Sequence, residues 1–500
     1  MENHTHTHNA AKRLERLSLA QNYLLIWLDS NFDESNEDFS HSLEQLKRIV
    51  NTINVYNDVN QCFEFIHKAK NENILMIISG ALGQQIISDI HSISEIKSIY
   101  IFCNDRTKHE QWIQPWTKIE GAFSSIESIC EQLKIDSRQC ERDSTSIQII
   151  NTNCSNQLEA TFVYTNLFKD IIFEMNYEKN DFDNLVQQCQ SKYQDNTYEL
   201  EIINEFENNY KEHRPIWWYT RECFMYHILN RTLRTFDVDM ILTLGPFIQD
   251  LHQHLCELHS QQKHSFQPTF MVYRGQRLLK THFNQIEQSF GGLLSFNNFL
   301  STSIDRLVSL GFAQNCLDKD DDHIGVLFQM NIDSSIDKSP FALLNDESYF
   351  DNTEQEILFS MNSVFRIGSI EQIPNSQIYQ IQLSLTTSDV DQQMQALYQR
   401  TQQEIQGSTP RHCLGHLLIK LDYGDKSEQI YKSLLANTSP NNHQEYSYLK
   451  HMLGYSYCNQ GKYQEAIESF QDAIQIIEHF PPDQRILLGT VYSYLGETYS

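Results

Sequence analysis

Between residues 22 and 125 short apolar runs alternate strictly with helical patterns. The runs are "YLLIWLD", "INVYND", "ILMIISG" and "SIYIFCND". Between them lie "SHSLEQLKRIVN", "NQCFEFIHKAK" and "LGQQIISDIHS", whose apolar residues recur every three or four positions. A run of four to eight apolar residues, too short for a helix, reads as a strand buried on both faces. Strand and helix in turn leave little choice: parallel strands need a crossover, and the crossover is the helix. This segment therefore predicts a parallel sheet covered by helices on both faces.

In size and order, residues 22–125 resemble a flavodoxin-like or response-receiver domain. Receivers carry an acceptor aspartate at the end of the third strand. Here that place holds Ser79 and Gly80, in "IISG", and the lysine expected after the fifth strand is missing from "KIEGAFSS". The resemblance implies a receiver-shaped domain without phosphoacceptor chemistry, dispensable for catalysis elsewhere in the chain. Asp29, at the end of the first strand, reads as a loop residue rather than a catalyst.

Composition narrows the partners. With 40% hydrophobic and 11% aromatic residues in 500, the chain can build several cores, and two to four domains are expected. A formal net charge of −27 disfavours nucleic acid and anionic membrane, which both need clustered cations. Eleven cysteines without a CxxC pair read as reduced thiols of a cytoplasmic protein. Residues 1–21 read as a disordered tail without a signal-peptide pattern, and His4, His6 and His8 as part of that tail rather than a metal site.

Residues 126–212 read as a helical connector, with apolar periodicity in "EATFVYTNLFKDIIFEM" and "YELEIINEFENNY". Pro215 marks a helix start. Trp217, Trp218 and Tyr219 either stack on a ligand or pin that helix to a core, and the second reading is the commoner use of such residues. From 269 to 386 alternation and turn residues dominate, which predicts a mostly β domain with one helix at about 304–316. Residues 387–410 are polar and Gln-rich, a linker with some helical pattern.

In the tail, "LGYSYCNQGKYQEAIESFQDAIQI" sets Leu453, Gly454, Tyr457, Gly461, Tyr463, Ala466, Phe470 and Ala473 at the spacings of a tetratricopeptide repeat. Small residues let two antiparallel helices approach and large ones fill the gap. A degenerate copy precedes it at "CLGHLLIKLDYGDKSEQIYKSLL", and "LLGTVYSYLGETYS" begins another. The Leu-Gly pairs at 453 and 495 lie 42 residues apart, longer than the usual period of about 34. The spacing resembles kinesin light chain repeats. Residues 411–500 are thus expected to form a helical solenoid that recruits protein partners, its last repeat incomplete.

Three short stretches stand in order within the β-rich region. "VYRGQ" places Arg274 at a strand end, "FLSTS" places Ser301, Thr302 and Ser303 at another, and "EQE" places Glu354 and Glu356 before a third. The Arg, Ser-Thr-Ser and Glu-x-Glu trio resembles arginine-specific mono-ADP-ribosyltransferases, the toxin-like clade with the Arg–Ser–Glu signature. Tyr273, Phe296, Phe299 and "ILFSMNSVFRI" fit as flanks, and Phe350 falls where that family carries its substrate-recognition turn. The resemblance covers roughly 210–386 and implies a mixed α/β transferase core, rich in β-structure, with a helical lobe over residues 213–386. The whole chain is then a multidomain α+β protein.

The resemblance implies an NAD(P)+–protein-arginine ADP-ribosyltransferase, with NAD as substrate, a protein arginine as acceptor and no metal. It assigns Glu356, Glu354, Ser301 and Arg274 to catalysis, and Gly275, Phe299 and Thr302 to the cofactor site beside Arg274 and Ser301. The chemistry agrees. Cleaving the nicotinamide glycoside develops positive charge on the ribose, which a carboxylate such as Glu356 stabilises. Arg274 offers forked donors to the diphosphate. Ser301 would hold Glu356, with Thr302 and Ser303 bracing the strands. Glu354, two residues before Glu356, shares its face on a strand and can bind and deprotonate a cationic acceptor. Separately, Arg274 could be a surface ion-pair residue, the Ser-Thr-Ser a helix cap near Ile304, and the carboxylates a solvated strand end; together and in order they point to a site. NAD glycohydrolysis at the same site and a catalytically silent scaffold are the alternatives.

Overall fold

The structure is a computed structural model. It describes residues 23–32, 37–51, 53–69, 72–143, 146–150, 156–221, 223–314, 323–336, 339–344, 347–349, 355–386, 392–405, 407–439, 441–481 and 485–499. The tail at 1–21 and the histidines in it lie outside these residues. The chain is a mixed α/β protein in two compact units, one formed by the stretches up to 153 and 178–387, the other by 154–177 and 388–500. Among the described residues no helix is long and apolar enough to cross a membrane.

The first unit holds two sheets. In the first, β1 (Tyr23–Leu28), β2 (Ile53–Tyr56), β3 (Asn73–Ser79), β4 (Ile96–Phe102) and β5 (Ile119–Phe123) are all parallel, in the order β2-β1-β3-β4-β5. All six residues of β1 are buried, because each face of the sheet is covered. Leu24, Ile26 and Leu28 pack with Cys62 and Ile66 of helix Val59–Lys68 and Ile87 and Ile90 of helix Gly80–His91. Tyr23, Leu25 and Trp27 pack on the other face with Leu46 of helix Glu37–Lys47 and Ile129 and Leu133 of helix Ile126–Asp143. That last helix falls in the stretch that the sequence reads as connector, yet it completes one layer of the sheet.

The second sheet has nine strands: β6 (Ile147–Ile150), β7 (Thr269–Leu279), β8 (Leu293–Phe296), β9 (Leu300–Ser303), β10 (His323–Asp333), β11 (Phe341–Leu343), β12 (Glu356–Phe359), β13 (Ser363–Gln372) and β14 (Tyr379–Leu385). Their order is β11-β12-β9-β7-β10-β14-β13-β8-β6, antiparallel except for the β10–β14 pair. Val272, Phe296, Phe328, Met330, Phe341, Phe359, Phe365 and Ile381 fill its core. The edge strand β6 corrects the all-helical reading of 126–212: its four residues pair with β8, and a run of four is too short for periodicity to separate strand from helix.

A helical layer precedes β7. Pro215 begins helix Pro215–Thr220 at its first turn, where the missing N–H costs nothing. Trp218 and Tyr219 of that helix are buried, Trp218 edge-on to Phe206 of helix Thr197–Asn209 at 5.1 Å. These two pin the helix to its core, as the commoner reading expects, while Trp217 stays half-buried.

The parallel sheet is tied by polar bonds to the nine-stranded one and to the helical layer. Asp143 Oδ1 accepts the Arg277 backbone N–H at 2.7 Å, and Oδ2 accepts from Arg277 Nε at 2.7 Å. These side chains are 11% and 10% exposed. Arg231 of helix Phe224–Thr235 makes a forked pair with Glu72 at 3.0 and 3.3 Å. Asn196 caps helix Thr197–Asn209 with its side-chain oxygen and donates through Nδ2 to the carbonyls of Lys47 (3.1 Å) and Asn51 (3.2 Å).

The second unit is helical: Asn156–Glu174, Gln392–Glu404, Pro410–Lys420, Gly424–Asn437, His443–Asn459, Tyr463–Ile477 and Ile486–Tyr499. Asn156–Glu174, a connector by sequence, packs here, and Tyr398 of the expected linker donates to Asp170. A Cβ on Gly454 would lie 2.6 Å from the Phe470 ring, the small-on-large contact that lets two helices of a hairpin approach. Among the described residues nine cysteines are free.

Removing one partner of a buried ion pair strands the other charge. Asp143→Ala should therefore cost about 3–5 kcal/mol in urea unfolding at unchanged m. Glu257→Ala, in the Arg214–Glu257 pair whose side chains are 53% and 60% exposed, should stay within about 0.5 kcal/mol. A fragment beginning at residue 213 lacks Asp143 and β6, and should lose cooperative unfolding where the sequence expects an autonomous core.

Candidate functional site

Strand β7 sets the first group by its alternation. Arg274 and Gln276 share a face and are 5% and 0% exposed. Gln276 Oε1 accepts from Arg274 Nε at 2.8 Å, and Arg274 Nη1 donates to the Ser301 carbonyl at 2.9 Å. Gln276 Nε2 is buried with no partner among the described residues. A glutamine at this depth is costly unless it holds something, and here it holds the guanidinium. Arg274 is thus no surface ion-pair residue; its charge is carried into the sheet and aimed at β9.

Gly275 faces the other way and meets helix Arg306–Gln314. A Cβ there would lie 1.7 Å from the Ser309 carbonyl oxygen. Ser309 Oγ donates to the Tyr273 carbonyl at 3.0 Å and seals the contact. Close packing of a helix on the strand requires a glycine here.

Strands β9 and β12 bring the other groups together. In their antiparallel register Ser301 lies opposite Leu358 and Ser303 opposite Glu356. Opposed residues share a face, so Ser301, Ser303 and Glu356 do too, with Ser301 and Glu356 on a diagonal of roughly 7–8 Å. Glu356 is half-buried at the first position of β12. Thr302 turns to the opposite face, is 3% exposed, and donates to the Ile357 carbonyl at 2.9 Å. It braces the two strands. Ser303 Oγ accepts from the Asp305 N–H at 3.0 Å, and Asp305 Oδ1 accepts from Leu307 N–H at 2.7 Å. The Ser-Thr-Ser therefore also leads into a helix, which starts at Arg306. Glu354 and Phe350 lie outside the described residues.

Phe299 is 3% exposed, and its ring stands 5.9 Å from that of Tyr219. Tyr219 Oη donates to Asn230 Oδ1 at 3.2 Å, and Asn298 Nδ2 donates to the Asn230 carbonyl at 2.9 Å. Phe299 thus joins strand β9 to the helical layer. Sequence reasoning gave Gln276, Asn230 and Asn298 no role. Gln276 could have been found from its parity with Arg274, whereas the asparagines, 68 residues apart, leave no local signal.

His254 is buried in helix Val238–Gln262, with Nε2 3.4 Å from Glu347 Oε2. Burial, and secondarily the positive charge of Arg214, lower its pKa from the ordinary 6.5 to about 4. Among the described residues no group of three or more His, Cys, Asp or Glu side chains could hold a metal ion.

No family model and no curated protein matches the chain. Solved structures similar to parts of it include the C3 exoenzyme of Clostridium limosum, at 15% identity over 35% of this chain and 83% of that one, with a TM-score of 0.26. The Vis toxin of Vibrio splendidus, an ADP-ribosyltransferase, is 20% identical over 44% of this chain and 92% of its own, with a TM-score of 0.25. C3stau2 of S. aureus, solved with NAD, is 13% identical over 48% and 99%, with a TM-score of 0.24. Likeness this low carries no weight for activity, so the functional reading rests on the chain's own residues.

Two outcomes follow from the geometry. Arg274→Lys cannot reach Gln276 and Ser301 together and should lower stability by about 1–3 kcal/mol. His254 binds a proton near 6.5 when unfolded and only near 4 when folded. Its contribution is complete above 6.5 and lost as pH falls towards 4. Replacing it with Gln should remove on the order of 3 kcal/mol of acid sensitivity from that window, read by urea unfolding at a series of pH values.

Proposed function

We propose that this chain transfers ADP-ribose from NAD to an arginine side chain of a protein and releases nicotinamide. The observation that carries the reading is the adjacency of strands β7, β9 and β12, which sets Ser301 and Glu356 on one face and bonds Arg274 of β7 to the Ser301 carbonyl. Each residue alone has an ordinary structural use, but the trio matches the charges of this reaction. Glu356 supplies negative charge on the face it shares with Ser301, where ribose becomes positive as the glycosidic bond breaks. The bonding electrons leave with nicotinamide. An acceptor guanidinium nitrogen forms the new bond to the ribose carbon, and Glu354 takes its proton. Arg274 holds the Ser301 strand and lends its charge to the diphosphate.

The rest of the chain supports a catalytic core with accessory domains. The parallel five-stranded order is that of flavodoxin-like folds. With Ser79 at the end of β3, it suits a receiver-like domain that takes no phosphate. The helical hairpins of the second unit, with Gly454 against Phe470, suit tetratricopeptide-like repeats that recruit protein partners.

Incubation of the full chain with labelled NAD and agmatine should yield modified agmatine and nicotinamide, and with cell lysate labelled protein. Glu356→Gln should lower both products about a hundred- to a thousandfold. Glu354→Gln should abolish agmatine modification while slow nicotinamide release persists, because water needs no cation-binding carboxylate. Near-normal turnover by Glu356→Gln would overturn the catalytic assignment. Nicotinamide release that ignores agmatine would make the chain a glycohydrolase, and absence of NAD binding would make it a scaffold.

A further inference from the structure

Helix Arg306–Gln314 stands beside the candidate site, on the same face of the sheet. Ser303 lies opposite Tyr273 of β7 on one side and Glu356 of β12 on the other, so the three residues form a row on one face. Gly275 repeats the direction of Tyr273 two residues on. The helix covers that position, since a Cβ on Gly275 would strike its Ser309 carbonyl. The inner stripe of the helix is complete. Ser309 and Ala313 are buried, and Leu310 packs against the cluster of Ala313, Leu327 and Ile378. Arg306 Nη2 donates to Gln380 Oε1 of β14 at 3.0 Å.

The outer stripe is apolar and bare. Leu307 is 73% exposed and Val308 37%, with Ile304 before them at 36%. A Cβ on Gly311 would meet nothing within 4 Å. Single exposed aliphatics are ordinary, but Ile304, Leu307, Val308 and Gly311 hold the spacing i, i+3, i+4, i+7 of a helix face that is normally buried. The Ile304 N–H donates to the Gln355 carbonyl at 3.2 Å, so the stripe begins next to Glu356. Charge selects what can cover it. Asp305, exposed beside the stripe, uses one carboxylate oxygen on the Leu307 N–H at 2.7 Å, and the chain carries a formal net charge of −27. Both repel a second copy of this chain and attract a cationic polypeptide.

We propose that the outer stripe of Ile304, Leu307, Val308 and Gly311 docks the protein acceptor by taking an apolar side chain a few residues from the arginine that is modified. From Ile304 to Gly311 the stripe runs about 10 Å at the rise of a helix, the reach of about three residues of extended chain. An arginine held at Glu356 would thus set a neighbour about three residues away on Leu307 and Val308. The acceptor class is a basic segment with an aliphatic or aromatic residue near its arginine. Agmatine has no such side chain and does not use the stripe. This rests on the transferase reading above and narrows its substrate.

The test uses the full chain with NAD and two synthetic peptides of one arginine each, the first with leucine and the second with serine about three residues to either side. The parent should show a KM about tenfold lower for the leucine peptide. Leu307→Ser removes an exposed side chain, so the fold is not at stake. It should make the two peptides equal, while agmatine modification and acceptor-free nicotinamide release stay within about twofold of the parent. Leu307→Met should keep the preference. Equal KM values in the parent, a preference that survives Leu307→Ser or is lost in Leu307→Met, or a matching loss with agmatine would overturn the proposal. So would concentration-dependent self-association of the parent that Leu307→Ser abolishes, which would give the stripe to a second copy. If the parent releases no nicotinamide, the transferase reading fails by itself. Fluorescence anisotropy of the labelled peptides then still decides the docking: the leucine peptide should bind about tenfold tighter than the serine peptide and lose that margin in Leu307→Ser, whereas equal binding to the parent would overturn it.

Discussion

The junction between β7 and β9 is the constraint on which the core depends. Along that junction the register pairs Tyr273 with Ser303, whereas β10 matches β7 over eleven positions. The Arg274 bond to the Ser301 carbonyl crosses the thin seam, and Gln276 keeps the guanidinium aimed at it. A charge buried to this degree is tolerated only when its donors are engaged. The side chain proposed to meet the diphosphate therefore also joins the strand of Ser301 to the rest of the sheet. Structure and proposed chemistry meet in one residue, which is why Arg and not Lys suits the position: a fork can serve two acceptors, a point charge cannot.

A second set of polar bonds decides where the parallel sheet stops being a separate object. Arg277, three residues beyond Arg274 on β7, donates from both its backbone N–H and its side chain to Asp143, the last residue of a helix that covers the parallel sheet. Four residues later the chain becomes β6 and enters the nine-stranded sheet. An event in the parallel sheet that moves helix Ile126–Asp143 would reach β7 through a short, buried, charge-assisted contact. Such a route has the physical continuity that coupling needs.

Much of the fold is legible in the sequence because it is written in local periods. The buried strand Tyr23–Leu28, the amphipathic helices that alternate with it, and the β-rich texture after residue 269 all follow from side chains repeating every two or every 3.6 residues. The Pro215 start and the Gly454–Phe470 spacing are equally local. Asp143–Arg277, 134 residues apart, and Asn298–Asn230, 68 apart, are not. The same holds for helix Asn156–Glu174. Its pattern announces a helix, but nothing in it says that its partners are Gln392–Glu404 and Pro410–Lys420 and not the neighbouring sheets.

For the candidate site the division is sharper. The order Arg274, Ser301, Glu356 on three strands was determined by the sequence, since residue type and period-2 alternation are properties of short stretches; Arg274, expected at a strand end, stands in the middle of β7 because the strand runs on to Leu279 in its pairing with β10. Which of their neighbours face the same way was decided by tertiary structure. Gly275 lies under a helix that must come within van der Waals reach of its backbone. Thr302 points into the core because the β9–β12 register places it opposite Ile357, and Phe299 turns to Tyr219 because the helical layer stands there. A shift of one residue in any of these registers would exchange the faces. Register is set by the packing of many distant side chains at once, so no local pattern around "YRGQ" or "FLSTS" could settle it.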